Sequence, residues 1–205
     1  MDLDCIQYRT ISNSINDLKT EIDSVASAGI TTFRIPEQFM NDVAHSSFDQ
    51  LCFIVDVNSN IEIPDAFGVH FKSFALMDQR KADIERVTGA TANTLLDCKN
   101  LDLQGLNYIE VPIDLGAVDA NHKNMILGSE GLQALLPKEI EYGWMLLSLA
   151  TPIMASGIRS MNELEILVDQ TAIHGVILDQ LIYRASNKKE TVQKIQSLFK
   201  LSSTI

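Results

Sequence analysis

The chain has 205 residues, 46% of them hydrophobic and 21% charged, which is the make-up of a globular protein with a full core. Its net charge is −11, and no basic run longer than Lys188-Lys189 occurs, so a nucleic-acid backbone or an anionic membrane is not the expected partner. No run of about 18 apolar residues is present to span a bilayer.

Short β-rich runs alternate with helical patterns along the chain. "DCIQYRTI" (4–11) reads as a first strand. Ser14 then opens a Ser-x-x-Asp cap, and Ile15, Leu18, Ile22, Val25 and Ala26 form one helical face that stops at Gly29. "ITTFRI" (30–35) is a second strand ended by Pro36, a short helix is expected over 37–48, and "LCFIVDV" (51–57) is a third, nearly continuous apolar strand. "FGVHFK" (67–72) is the fourth strand, followed by a polar helix over about 77–88 that ends at Gly89. "ATANTLL" (90–96) and "LNYIEVPI" (106–113) read as strands five and six. A loop over 114–127 leads into a long apolar helix from about 129 to 149, with Trp144 and Met145 assigned to the core. "PIMAS" (152–156) is strand seven. A Ser160-x-x-Glu163 capping box follows, and Met161, Leu164, Leu167 and Val168 form the next helix face. "HGVILDQ" (174–180) is strand eight, and Val192, Ile195, Leu198 and Phe199 stripe the last helix.

Eight strands alternating with helices predict a compact (β/α)₈ TIM barrel with several shortened helices, one domain over 1–205. A doubly wound open sheet is the alternative, but the first turn lacks its Gly-rich fingerprint. Three cysteines, Cys5, Cys52 and Cys98, form no CxxC pair and no zinc spacing. Together with the acidic "MDLDCIQYRT" start they suggest reduced thiols in a cytoplasmic protein.

In a barrel of this kind the carboxyl ends of the strands carry the chemistry, so polar residues there become candidates. Arg34 is a candidate anion clamp, since a guanidinium fork meets two oxygens at once. Asp56 ends an apolar strand and needs a cation, an arginine or a capping role; a metal and a pair with Arg34 are the options. His70 is a candidate acid/base or a structural imidazole, and Lys72 a Schiff-base lysine or a solvated rim residue. Glu110, with Asp114, is a candidate proton carrier or a solvated rim carboxylate. Ser156-Gly157-Ile158 sits at a strand end just before a capped helix, a geometry that holds phosphate with backbone N–H groups. Asp179-Gln180, at the end of strand eight, opposes that role. A carboxylate at 4 Å and an effective dielectric of 20 costs a phosphate roughly 4 kcal/mol unless Arg159 or Arg184 offsets it.

The succession "GVHF" (68–71), "GATANT" (89–94), "NYIEVPI" (107–113), "GSEGLQAL" (128–135), "PIMASGI" (152–158) and "GVILDQLI" (175–182) resembles the thiamine-phosphate synthase/TenI family. The family patterns are a "GVHLGQ"-like strand four, a "DYIGVGPVF"-like strand six, "G-L-E-G-L", a "PVVAIGGI" strand seven and a "GVAVVSAI" strand eight. The last two strands are also similar to other phosphate-binding barrels. The resemblance implies a compact barrel with a site for a phosphorylated, thiamine-related ligand. In the synthase a thiazole phosphate attacks a pyrimidine pyrophosphate held by magnesium; TenI-like relatives tautomerise the thiazole phosphate.

Carried over by position, the family's functional residues are thinned out. Of a strand-two "Q-x-R-x-K" pyrophosphate clamp only Arg34 stands here, with Thr32 and Pro36 at the other two places. Of an "N-D" that helps hold Mg²⁺ only Asp56 stands, beside Val55. Ala120 takes the place of a lysine in the loop after strand six, with Lys123 near it. The expectation is a divergent barrel that binds a thiazole or pyrimidine phosphate with reduced or changed activity. Phosphate is assigned to Arg34, Ser156, Gly157 and Ile158, Mg²⁺ to Asp56, and acid/base work to His70, Lys72 and Glu110. A non-catalytic, regulatory barrel and an isomerase or aldolase on another sugar phosphate are the alternatives. A small phosphorylated ligand is the expected partner, and a homodimer the assembly considered.

Overall fold

The computed structural model describes residues 5–46, 48, 50–58, 62–64, 67–78, 86–113 and 149–202. Its eight strands are β1 (Ile6–Arg9), β2 (Thr32–Pro36), β3 (Cys52–Val57), β4 (Gly68–Phe71), β5 (Thr88–Thr91), β6 (Tyr108–Pro112), β7 (Ile153–Ser156) and β8 (Gly175–Leu178). All pair in parallel in sequence order, and β8 closes back on β1, giving the closed barrel that the alternation predicts. The open-sheet alternative is excluded. Between the strands run α1 (Ile15–Ala26), a 3₁₀ turn (Glu37–Phe39) leading into α2 (Met40–Ala44), α3 (Phe74–Asp78), α4 (Leu95–Asp102), α5 (Met161–Gln170) and α6 (Gln180–Tyr183); α7 (Lys188–Ser202) ends the described chain.

Helix α1 forms where the apolar spacing puts it. The Ser14 hydroxyl accepts from the Asp17 N–H, and Leu18, Ile22 and Val25 are buried against the strands. Burying each of these side chains contributes about 1.5–3 kcal/mol. Buried Glu21 on the same helix accepts from the Tyr8 hydroxyl at 2.6 Å and from the Ile11 and Ser12 N–H groups at 2.9 and 3.0 Å, which ties the β1–α1 loop down. Leu164, Leu167 and Val168 on α5 and Val192, Ile195 and Phe199 on α7 form the faces predicted for them, with Met161 and Leu198 partly buried.

Two local expectations are corrected. "ATANTLL" is not one strand: β5 stops at Thr91, and Leu95 and Leu96 open α4. The reason is a reciprocal capping box, in which Thr94 Oγ1 accepts from the Asp97 N–H at 3.1 Å while the Asp97 carboxylate accepts from the Thr94 N–H at 3.0 Å. Gly89 does not terminate a helix; it lies inside β5, where a Cβ would run into the ring of Tyr108 on β6, so the position calls for glycine. The described helix after β4 is α3; residues 79–85 of the helix expected over about 77–88 lie outside the described residues, and Thr88 belongs to β5. The loop and long helix expected over 114–148, with Trp144 and Met145, lie outside the described residues.

Within the barrel the inward side chains form two zones. Ile54, Tyr108, Met154 and Ile177 make an apolar plug. Nearer the carboxyl ends of the strands, Arg9, Arg34, Asp56, His70, Thr91, Glu110 and Ser156 form a polar zone.

Candidate anion site at the strand ends

The polar zone is organised about one carboxylate. Glu110, on β6, is 2% exposed. Its Oε1 accepts from Arg9 Nη2 and from the Ser156 hydroxyl, the latter at 2.5 Å. Its Oε2 accepts from Arg34 Nη1 and from the Thr91 hydroxyl at 3.3 Å, and lies 3.1 Å from His70 Nε2, which also meets Thr91 Oγ1 at 2.8 Å. These donors come from β1, β2, β4, β5 and β7, and strand register brings them to one level: Arg9 pairs with Arg34 across β1–β2, and Thr91 with Glu110 across β5–β6. Arg34, 1% exposed, also donates to Asp56 Oδ1, from Nε at 2.8 Å and from Nη2. Asp56 Oδ2 faces Arg9 Nε at 3.9 Å.

The electrostatics follow from this packing. Burial alone would push the Glu110 carboxyl up, but Arg34, the His70 hydrogen bond and Arg9 outweigh it and hold Glu110 well below the usual carboxylate range. Burial alone would lower the Arg34 pKa; Glu110 and Asp56 reverse this and raise it, so the guanidinium stays charged. His70 is driven to about 4, chiefly by burial and then by Arg34, against the pull of Glu110. It is therefore neutral near pH 7, and with Nε2 facing the acceptor-only Glu110 the proton belongs on Nε2. Nδ1 then accepts from the Tyr108 hydroxyl at 2.9 Å, and the two rings stack with centroids 5.5 Å apart. The zone thus holds two guanidinium cations and two carboxylates, with no net charge.

Of the residues singled out in the sequence, the structure brings Arg34, Asp56, His70, Glu110 and Ser156 together. Arg34 and Asp56 make the ion pair that was one of their two readings. Glu110 is a buried partner, not a solvated rim residue. Lys72 is exposed, one residue past the end of β4, and stands apart from the cluster. Asp114 lies outside the described residues, as do His122 and Lys123. Arg9, Thr91 and Tyr108 belong to the site and were not singled out; an arginine and a threonine ending apolar strands were the available signals.

Beside this zone, the turn from β7 into α5 keeps the geometry expected of "ASGIRS". Gly157 has φ +83, and a Cβ there would strike the Ile113 carbonyl, so both conformation and space demand glycine. The Gly157 and Ile158 N–H groups have no hydrogen-bond acceptor among the described residues. Ser160 caps α5 by accepting from the Glu163 N–H at 3.2 Å, whereas the Glu163 carboxylate reaches back one residue further than a standard box, to the Arg159 N–H at 2.6 Å. At β8 the Asp179 side chain accepts from the Gln180 N–H, so that strand end supplies its own anion.

The donor set does not suit magnesium. Asp56 is already engaged by Arg34 and faces Arg9, and a divalent cation there would meet two guanidinium groups. Among the described residues no cluster of three or more His, Cys, Asp or Glu is placed to share a metal ion.

No family model matches the chain. It is similar to the thiamine-phosphate synthase of Flavobacterium johnsoniae, 24% identical over an alignment 206 positions long that covers 93% of each chain. Among solved structures it is similar to a thiamine phosphate pyrophosphorylase from Pyrococcus furiosus, with a TM-score of 0.65, 16% identity and 96% of each chain covered. It is also similar to the N-acetylmannosamine-6-phosphate 2-epimerase of Clostridium perfringens, at 0.53 and 12%, covering 96% of this chain and 92% of that one. The structural likenesses show the barrel alone, and the sequence likeness runs over nearly the full length. The full-length sequence likeness, on the same barrel, supports kinship with thiamine-phosphate synthases as a divergent relative.

Proposed function

We propose that the protein binds a small monophosphate of the thiazole or pyrimidine class at the carboxyl ends of its strands, and has departed from the magnesium-dependent transfer of the ordinary synthase. The observation that carries this reading is the β7–α5 turn. A left-handed, exposed Gly157 and the adjoining Ile158 N–H lie at the start of a capped ten-residue helix, whose dipole favours an anion by about 0.3–1 kcal/mol. Gly157 and Ile158 supply the phosphate donors. Ser156 and Arg34 support the turn through Glu110, since their side chains are already spent on it.

A second reading, a ligand-binding or regulatory barrel without turnover, is favoured by the state of His70. Its ring is wholly buried with both nitrogens engaged, which suits a positioning group better than one that meets a substrate. None of the three cysteines is in a disulfide among the described residues, in keeping with a reducing, cytoplasmic setting for either reading. No described helix is long and apolar enough to cross a membrane.

Thermal unfolding with a thiazole phosphate, a pyrimidine monophosphate, magnesium pyrophosphate and a panel of sugar phosphates tests the reading. Stabilisation by a thiazole or pyrimidine monophosphate is expected, and turnover assays on that ligand then separate enzyme from binder. No stabilisation by any phosphate overturns the proposal.

A further inference from the structure

Glu110 occupies a place that its surroundings build for an anion. Two guanidinium groups, two hydroxyls and an imidazole N–H, from five strands, converge on its two oxygens. Donors so arranged are those that bind a free carboxylate or phosphate, and the chain fills the site with a carboxylate of its own. The carboxylate is fixed on a barrel strand with no flexible tether, so its effective concentration at the site exceeds the mM range of flexibly linked groups. Arg9 and Arg34 are matched by Asp56 and Glu110, and neutral His70 adds nothing, so an arriving anion finds no net attraction there.

We propose that Glu110 is a resident anion that closes the Arg9–Arg34 site, and that it sets specificity by leaving room for one phosphate at the β7–α5 turn and none at the arginine pair. The position of that one phosphate rests on the reading given under Proposed function; the occupied arginine site does not. Ligands that need a second anion subsite, pyrophosphates above all, are excluded. Removing the carboxylate converts the centre of the barrel into a site for a free oxyanion.

The test is chemical rescue of Glu110→Ala. Thermal unfolding of wild type and variant is followed with inorganic phosphate or formate added, against chloride at matched ionic strength. The variant is expected to gain on the order of 5–10 °C, saturably, at a hundredfold excess of anion over its dissociation constant, over and above any gain that the β7–α5 turn gives wild type relative to the chloride control. An equal gain in wild type leaves no rescue that belongs to the vacated arginine pair, and overturns the proposal; no gain in either does the same. If the variant does not fold alone, its refolding yield from denaturant is the readout. Restoration by phosphate or formate supports the proposal, and failure to restore overturns it. Thiazole phosphate binding to wild type is measured separately. Its loss with rescue intact removes only the functional reading, and its presence without rescue removes only this one.

Discussion

His70 Nε2 lies 3.1 Å from Glu110 Oε2, with both side chains shut off from solvent. The Tyr108 hydroxyl holds the other ring nitrogen at 2.9 Å. A chain of hydrogen bonds therefore runs from Tyr108 through His70 to Glu110 and on to Arg34, and it fixes the tautomer of one group and the charge of another.

Stability will fall on mild acidification. An unfolded imidazole titrates near 6.5, whereas His70 in the fold is lowered to about 4, so between these values only the unfolded chain takes up the proton. The loss amounts to about 2 kcal/mol by pH 5 and about 3 kcal/mol by pH 4. Below about pH 4.3 Glu110 adds to it, because its stabilising charge is present above the unfolded carboxyl pKa and is lost beneath it. The groups facing His70 are Arg34, Asp56, Thr91, Tyr108 and Glu110. Urea unfolding at pH 7.5, 6 and 5 should show this slope in wild type and a shallower one in His70→Gln; equal slopes would refute the assignment.

Arg34→Met leaves the Glu110 and Asp56 carboxylates sharing the Arg9 guanidinium, one uncompensated charge in the barrel, which costs about 3–5 kcal/mol. Arg34→Met combined with Glu110→Gln should recover part of that loss. A double-mutant cycle by urea unfolding measures the coupling, and strict additivity would contradict the ion-pair account.

Gly157→Ala places a methyl group at φ +83 against the Ile113 carbonyl. The turn must shift, at a cost of roughly 1–3 kcal/mol. Affinity for a thiazole phosphate, read by calorimetry, should drop with it; unchanged affinity would move the phosphate away from this turn.

Magnesium ions are expected to leave the melting temperature unchanged, with or without a monophosphate, and a chelator likewise, because Asp56 is spent on the arginines. A saturable magnesium-dependent rise would show that the Arg34–Asp56 pair opens.

The barrel was legible in the sequence because each apolar run alternates with a capped or Gly-ended helical pattern, and Arg34, Asp56, His70, Glu110 and Ser156 stood out as polar groups ending such runs. Their partners were not legible. Arg34 and Glu110 are 76 residues apart and Arg9 and Glu110 are 101, and only closure of the barrel with its register brings them to one level. The division of "ATANTLL" was available in Thr94-x-x-Asp97, a capping pattern that a β-rich composition obscured. One signal for Glu110 lay in the motif itself: matching "NYIEVPI" to a "DYIGVGPVF"-like strand sets this carboxylate against a glycine.

The most direct test is a crystal structure of the protein with a thiazole phosphate bound. The account predicts the phosphate at the Gly157 and Ile158 N–H groups, with Glu110 still held by Arg9, Arg34 and Ser156. A phosphate seated on Arg34 with Glu110 displaced, or no phosphate at the strand ends at all, would contradict it.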